Sequence, residues 1–176
     1  MRLNSEFDSL DTYMSVYGVH SCSGSMLRIY LKEGLGVSSE LRSIFHRRYF
    51  YDPWARRKYR EVKMIDGLLV AQLESSDEWI QYNDKTISEE ILKYEYVGGC
   101  WFVFEGVFCS FRKIEKYLSD HDKKEEGKIV EELVFSKATY EGLTKYLLEG
   151  VLDVPPGPGW VSWEVYAKSF YVEIPE

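Results

Sequence analysis

Three cysteines, three histidines and no apolar run long enough to cross a bilayer are what this 176-residue chain offers, and each shortage removes a class of protein. Cys22, Cys100 and Cys109 are odd in number and lack short paired spacings, so neither a disulfide framework nor a structural zinc site is expected. His20, His46 and His121 are scattered without the close pairings that bind metal, so no metal and no cofactor is expected. The longest apolar stretch, Val97 to Phe111, has 15 residues broken by Glu105, against the roughly 20 that a membrane span needs. Glu6, Asp8 and Asp11 stand where a secretory signal would place basic residues and an apolar run, which predicts a cytoplasmic protein without a membrane association. Gly98-Gly99 leads into an aromatic segment and not a helix, so it is no phosphate-binding loop. The adjacent acids Glu89-Glu90, Glu125-Glu126 and Glu131-Glu132 point in different directions from a helix or strand, and cannot face one substrate together.

Charge is abundant and unevenly placed. Of 22 Lys and Arg against 29 Asp and Glu, eight basic residues and two acidic ones fall between Arg42 and Lys63, leaving 14 basic and 27 acidic residues elsewhere. Opposed potentials on one chain act on partner choice and encounter rate, so the division is evidence for a partner. The basic island interleaves Tyr49, Phe50, Tyr51, Trp54 and Tyr59 with Arg47, Arg48, Arg56, Arg57, Lys58 and Arg60. Rings that stack on bases beside cations that hold phosphates make an RNA or single-stranded DNA site. The same segment suits an acidic protein surface, and at helical spacing its rings could enter a core while the Arg stems line the other face. Arg47, Arg48, Tyr51, Trp54, Arg56, Arg57 and Tyr59 are the candidate binding residues. The chain has 14 Tyr, 9 Phe and 5 Trp, and the surplus of Tyr favours half-exposed rings that can anchor an interface.

The local patterns predict one α+β domain over residues 1–176, a mainly antiparallel sheet built from hairpins with several packed helices. Asn4 or Ser5 can cap a helix with Phe7, Leu10, Met14 and Tyr17 in register, followed by a Ser and Gly loop over Ser21 to Ser25. Ser38 or Ser39 can open a second helix through Leu41, Ile44, Phe45, Arg48 and Tyr49. Asp52-Pro53 ends it, and Asp52 can cap a brief new helix with Pro53 at its first position. Asp66-Gly67 between alternating runs predicts a hairpin over Glu61 to Glu74. Asn83-Asp84 and Glu105-Gly106 suggest two more. Helices are expected over Ser88 to Tyr94, Phe111 to Leu118 and from Ser136 through Tyr140, Leu143, Tyr146 and Leu147. Asp120 to Lys128 reads as a charged loop, Ile129 to Phe135 as a strand, and Trp160 to Ile174, after the stiff Pro155 to Gly159 connector, as a bent strand or a last hairpin.

One short motif carries a catalytic suggestion. Cys22 precedes Arg28 by six residues, with Gly24 and Ser25 between them. This C-x5-R spacing resembles the phosphate loop of cysteine-dependent tyrosine phosphatases, and the Gly two residues after the Cys resembles the low-molecular-weight branch. The resemblance implies Cys22 as nucleophile, Arg28 as phosphate clamp and Asp52, in Asp52-Pro53, as general acid. It covers seven residues and a dipeptide. Ile29 stands where the family has a hydroxyl residue, Ser25 replaces an Asn, and the family's Asp-Pro lies far towards the C-terminus. The acidic balance, the Tyr and Trp content and the lack of an assembled catalytic signature together favour a non-enzymatic protein-binding module. Its expected form is an acidic inhibitor or neutraliser of the kind immunity proteins and antitoxins represent, with a protein partner of basic surface. Phosphatase activity and nucleic-acid binding are the alternatives, and the sequence leaves the oligomeric state open.

Overall fold

Two long, bent strands lying antiparallel, residues 100–116 and 159–173, organise the larger of the two sheets. The computed structural model describes residues 1–4, 6–117, 128–135 and 140–176. The chain forms two compact units: Met1–Leu35 with Gly99–Glu176, and the intervening Gly36–Gly98.

In chain order the first unit begins with β1 (Arg2–Leu3), β2 (Val16–Ser23) and β3 (Met26–Glu33). The second unit supplies α1 (Ser39–Arg42), β4 (Arg47–Asp52), β5 (Arg57–Ile65), β6 (Leu68–Leu73), β7 (Trp79–Tyr82), α2 (Lys85–Lys93) and β8 (Glu95–Gly98). The first unit resumes with β9 (Cys100–Glu105), β10 (Cys109–Lys116), β11 (Lys128–Val134), β12 (Thr144–Leu152), β13 (Gly159–Ala167) and β14 (Ser169–Glu173). The first unit's sheet has the order β1-β14-β9-β3-β2-β12-β13-β10-β11, and the second's β7-β6-β5-β4-β8.

The bend is a bulge. Glu105 pairs with Ser169 and Cys109 with Tyr166, so three residues on one strand oppose two on the other. Gly106 takes φ +63° at that point, a conformation that costs a residue with a Cβ about 1 kcal/mol or more. Backbone bonds from Lys168 N to Glu105 O (3.0 Å) and from Phe108 N to Tyr166 O (2.9 Å) carry the ladder across it. Beyond the bulge the sheet folds over, and both halves share one core. Tyr146 of β12 meets Phe104 of β9 at 5.3 Å and Phe170 of β14 at 5.8 Å between ring centroids, and His20 of β2 meets Trp163 of β13 at 5.2 Å. A two-residue parallel pairing, Val16 with Val151 and Tyr17 with Leu152, joins β2 to β12. Along β13 the pattern is strictly alternate: Val161, Trp163, Val165 and Ala167 are buried and their neighbours are not.

In the second unit a sheet face packs under α2. Tyr59, Leu69, Ala71 and Ile91 form its fully buried cluster, with Phe50, Val62, Leu73, Ile80, Tyr82 and Ile87 around them. Asp84 caps α2, its Oδ1 accepting from the amides of Thr86 (2.8 Å) and Ile87 (3.2 Å).

The α+β expectation is therefore corrected: among the described residues 58% are strand and 10% helical, with two α-helices in place of several. Of the expected helices, Phe7 to Tyr17 is a 3-10 turn at Phe7–Ser9 and the start of β2, Leu41 to Tyr49 gives one turn and then β4, and 111–116 and 144–147 are strand. The segment 111–118 had charges at helical spacing and the others apolar residues, and over β10 and β12 the inward and outward alternation of a sheet won; in β10, Ser110, Arg112 and Ile114 are buried while Phe111, Lys113 and Glu115 are exposed. The Asp66-Gly67 hairpin joins β5 to β6 with both residues at positive φ. Asn83-Asp84 is a cap and not a turn between strands. Glu105-Gly106 lies between two real strands that pair with others. Ser5, 120–127 of the charged loop with His121, and Ser136 lie outside the described residues.

Gly34 has φ +88°, and a Cβ there would stand 1.9 Å from the Met14 carbonyl oxygen. Gly24, at φ +63°, has nothing within 4 Å of the same position. Gly34→Ala is expected to lower the urea-unfolding stability of the first unit by about 2–4 kcal/mol, and Gly24→Ala by about 1 kcal/mol.

Candidate functional site

The basic island forms the β4–β5 hairpin, in which Phe50 pairs with Tyr59, Tyr51 with Lys58 and Asp52 with Arg57. Pro53, Trp54, Ala55 and Arg56 make the turn, with Arg56 in the left-handed region at φ +52°. Asp52 holds it. Its side chain is essentially inaccessible, at 1% exposure. Oδ1 accepts from the amides of Trp54 (2.9 Å) and Ala55 (3.0 Å), as an Asx turn or a helix cap does. Oδ2 accepts from the Tyr82 hydroxyl at 2.9 Å, and that hydroxyl is hydrogen-bonded to Tyr59 at the centre of the core. Since Tyr82 gives its one proton to Asp52, Tyr59 donates to Tyr82. Burial, then the bonds to Tyr59 and Asp52, push the Tyr82 phenol well above its ordinary value.

The turn presents Trp54, 72% exposed, with the exposed Arg48, Arg56 and Arg57 on the same hairpin. These three Arg have no ion-pair partner among the described residues. Other island cations are already engaged: Arg42 with Glu95 (2.9 Å), Arg47 with Glu74 (3.5 Å), Arg60 with Asp77 (2.9 Å) and Lys63 with Glu61 (2.8 Å). Lys58 stands 5.1 Å from the Tyr49 ring centroid. Arg56, Arg57, Lys58, Leu73, Glu74 and Ser75 line an open concavity beside the turn. The second unit thus holds 10 Lys and Arg against 11 Asp and Glu, and the first unit 12 against 18.

The candidate residues divide accordingly. Trp54, Arg56 and Arg57 lie at the open turn, Arg48 is exposed further along β4 where it pairs with Val97 of β8, Arg47 is exposed but paired, Tyr51 is half-buried, and Tyr59 is interior. Tyr49 is buried too, and Phe50 packs on the core cluster. Of the island's rings only Trp54 is fully open to a ligand. Sequence reasoning gave Asp52 a capping role but missed Tyr82 as its second partner; no local signal links residues 30 positions apart on strands that are not neighbours.

Cys22, Arg28 and Asp52 do not form a phosphate site. Cys22 and Arg28 lie on an antiparallel hairpin, Cys22 opposite Leu27 and Arg28 opposite Ser21, so their side chains leave opposite faces. Arg28 is bonded to Glu173 at 2.5 Å and stacks over Trp101 at 4.7 Å. Burial pushes the Cys22 thiol up, the reverse of a nucleophile's requirement. Asp52 belongs to the other unit and is committed to its turn. Among the described residues no three His, Cys, Asp or Glu side chains are grouped to hold a metal ion, and no helix is long and apolar enough to cross a membrane.

Comparison with protein-family models, curated proteins and solved structures finds no match to this chain.

The environments of Tyr82 and Cys22 fix how each responds to pH. An unfolded tyrosine ionises near pH ~10, whereas Tyr82 keeps its proton to higher pH in the folded state. The unfolded chain sheds that proton first, so the associated stability is complete below about pH 10 and is lost as pH rises above it. The urea midpoint between about pH 9 and 11 is expected to fall more steeply for the wild type than for Tyr82→Phe, which has no proton to lose. Cys22 is exposed while Cys100 and Cys109 are buried. In native protein a chromogenic disulfide reagent is expected to find one accessible thiol, and the alkylation rate of Cys22 should still be climbing above neutral pH instead of reaching a plateau below it.

Proposed function

We propose that the protein works without catalysis, in the cytoplasm, by binding another protein, as an inhibitor or neutraliser whose contact is the β4–β5 turn. The observation that carries this reading is Trp54 held out on a turn that Asp52 locks to the core. A large ring already fixed in place loses little freedom on docking, and Trp and Arg are the residue types that dominate binding energy at interfaces. Arg56 and Arg57, which have no ion-pair partner among the described residues, would draw the turn to an acidic patch and hasten the encounter. Net charge alone suggested a partner with a basic surface. The excess acid belongs mainly to the first unit's sequence, and the contact proposed on the second unit fits the opposite sign. A nucleic-acid reading is less well supported, because burial of Tyr49 and Tyr59 leaves no row of rings on which successive bases could stack.

The test is paired affinity capture from lysate of the source cell at low salt, with wild type and Trp54→Ala as baits and quantitative mass spectrometry of both eluates. A stoichiometric protein retained by the wild type is expected to fall about 30-fold on Trp54→Ala, the effect of losing roughly 2 kcal/mol. Its association should slow with Arg56→Glu or Arg57→Glu and with added salt. Equal recovery on both baits, or retention of nucleic acid alone, would overturn the reading.

A further inference from the structure

β11 has β10 on one side and, among the described residues, no strand on the other. It is regular throughout, pairing from Lys128 opposite Glu115 to Val134 opposite Cys109 without a bulge. One row of its backbone N–H and C=O groups therefore faces away from the sheet, and such an edge accepts another strand unless something blocks it. Proline and bulges are the usual guards, and this strand has neither. An inward charge is a third guard, but the inward Glu131 is neutralised: Arg112, itself buried, donates from Nε to Glu131 Oε2 at 2.8 Å. Ile129 and Leu133 share that inward face, whereas Lys128, Val130, Glu132 and Val134 point outward. Val130 is 72% exposed and Val134 67%, unusual for aliphatic side chains in a strand.

We propose that the protein forms a two-fold dimer in which β11 pairs antiparallel with β11 of a second copy about an axis at Val130. Five residues of β11, Lys128 to Glu132, are self-complementary in that register. Val130 meets Val130 of the second copy, and on the same outward face Lys128 meets Glu132 on either side of the axis. Ile129 meets Glu131 on the inward face, where Arg112 already offsets the charge. The alternation of an antiparallel ladder allows the axis to move only one residue at a time along the strand, and the neighbouring positions are poorer. An axis at Glu131 sets that residue against itself and Val130 against Glu132; an axis at Ile129 sets Lys128 against Val130. Opposite charges directly across a pair favour a register and like charges disfavour it. A second copy of this chain is thus the occupant whose charges fit the edge, and the resulting contact is isologous and closed, so it ends at two chains.

Light scattering after size exclusion, with sedimentation across the micromolar range, tests the proposal on the full chain. The wild type is expected to show twice the monomer mass at the upper end of that range. Val130→Lys, which places two ammonium groups at the axis, should return it to the monomer with unchanged circular dichroism and melting. Val134→Lys, beyond the Lys128 to Glu132 overlap, should leave the dimer. In a Cys22→Ser background, Val130→Cys should yield a covalent dimer under mild oxidation, which tests the register even if the Lys variant misfolds. A wild type that stays monomeric, a dimer indifferent to Val130→Lys, or a Val130→Cys protein that does not cross-link would each overturn the proposal.

Discussion

The Asp52 carboxylate is the joint on which the second unit's exposed end depends. It takes two amide protons from the turn above it and one hydroxyl proton from the core below, so the orientation of Trp54 is referred to Tyr82 and Tyr59 and not to solvent. Hydrogen bonds to a charged group are worth about 1.5–3 kcal/mol each, enough to offset the ~1 kcal/mol or more by which a side chain such as that of Arg56 disfavours positive φ. A four-residue loop with a proline would otherwise have several conformations. Here the core selects one, and the same network makes the tip sensitive to substitutions at a tyrosine on another strand.

In the first unit the corresponding constraint is the bulged corner at Gly106 to Phe108 opposite Ala167-Lys168, which turns one nine-stranded sheet into two facing halves. Several polar side chains of its interior are met by partners on neighbouring strands. Trp163 donates its ring N–H to Ser110 Oγ (3.3 Å), and Arg112 lies over the Trp163 ring at 4.7 Å while bonded to Glu131. His20 edges onto the same ring, and burial, reinforced by the Arg112 charge and opposed by Glu131, lowers its proton affinity below that of a free imidazole. The imidazole, indole, guanidinium and carboxylate form a cross-strand row in which Arg112 bonds Glu131 of the neighbouring strand and Trp163 bonds Ser110.

What could be read from the chain was whatever is decided locally. Asp66-Gly67 announces a turn because few residues accept two successive positive φ values, and that hairpin is where the residues said. The strand at 128–134 and the helix near 88–94 were also legible, although the helix is capped by Asp84, one turn before Ser88. What was not legible is pairing between distant segments. Residues 100–104 and 107–111 look like the arms of one hairpin, yet each finds its partners near the C-terminus or the N-terminus, because the bulge carries the chain past a corner instead of around a turn. Segments such as 111–118 carry charges at helical spacing and also alternate at period two; only the neighbouring strands, which bury Arg112 and Ile114, decide between them. At the candidate site, residue type was legible and exposure was not. Arg47 to Arg60 read as one basic aromatic segment, and folding separates it into interior rings, paired cations and a small open group around Trp54.

The proposed contact depends on that turn being rigid before any partner arrives, since a mobile loop would spend much of its binding energy on ordering. Amide hydrogen exchange followed residue by residue by NMR tests this most directly. The Trp54 and Ala55 amides, bonded to a buried carboxylate, should exchange as slowly as amides of the β4–β5 ladder. Exchange at the rate of an open loop would mean that Asp52 does not hold the turn, and that Trp54 is an exposed ring without a fixed place.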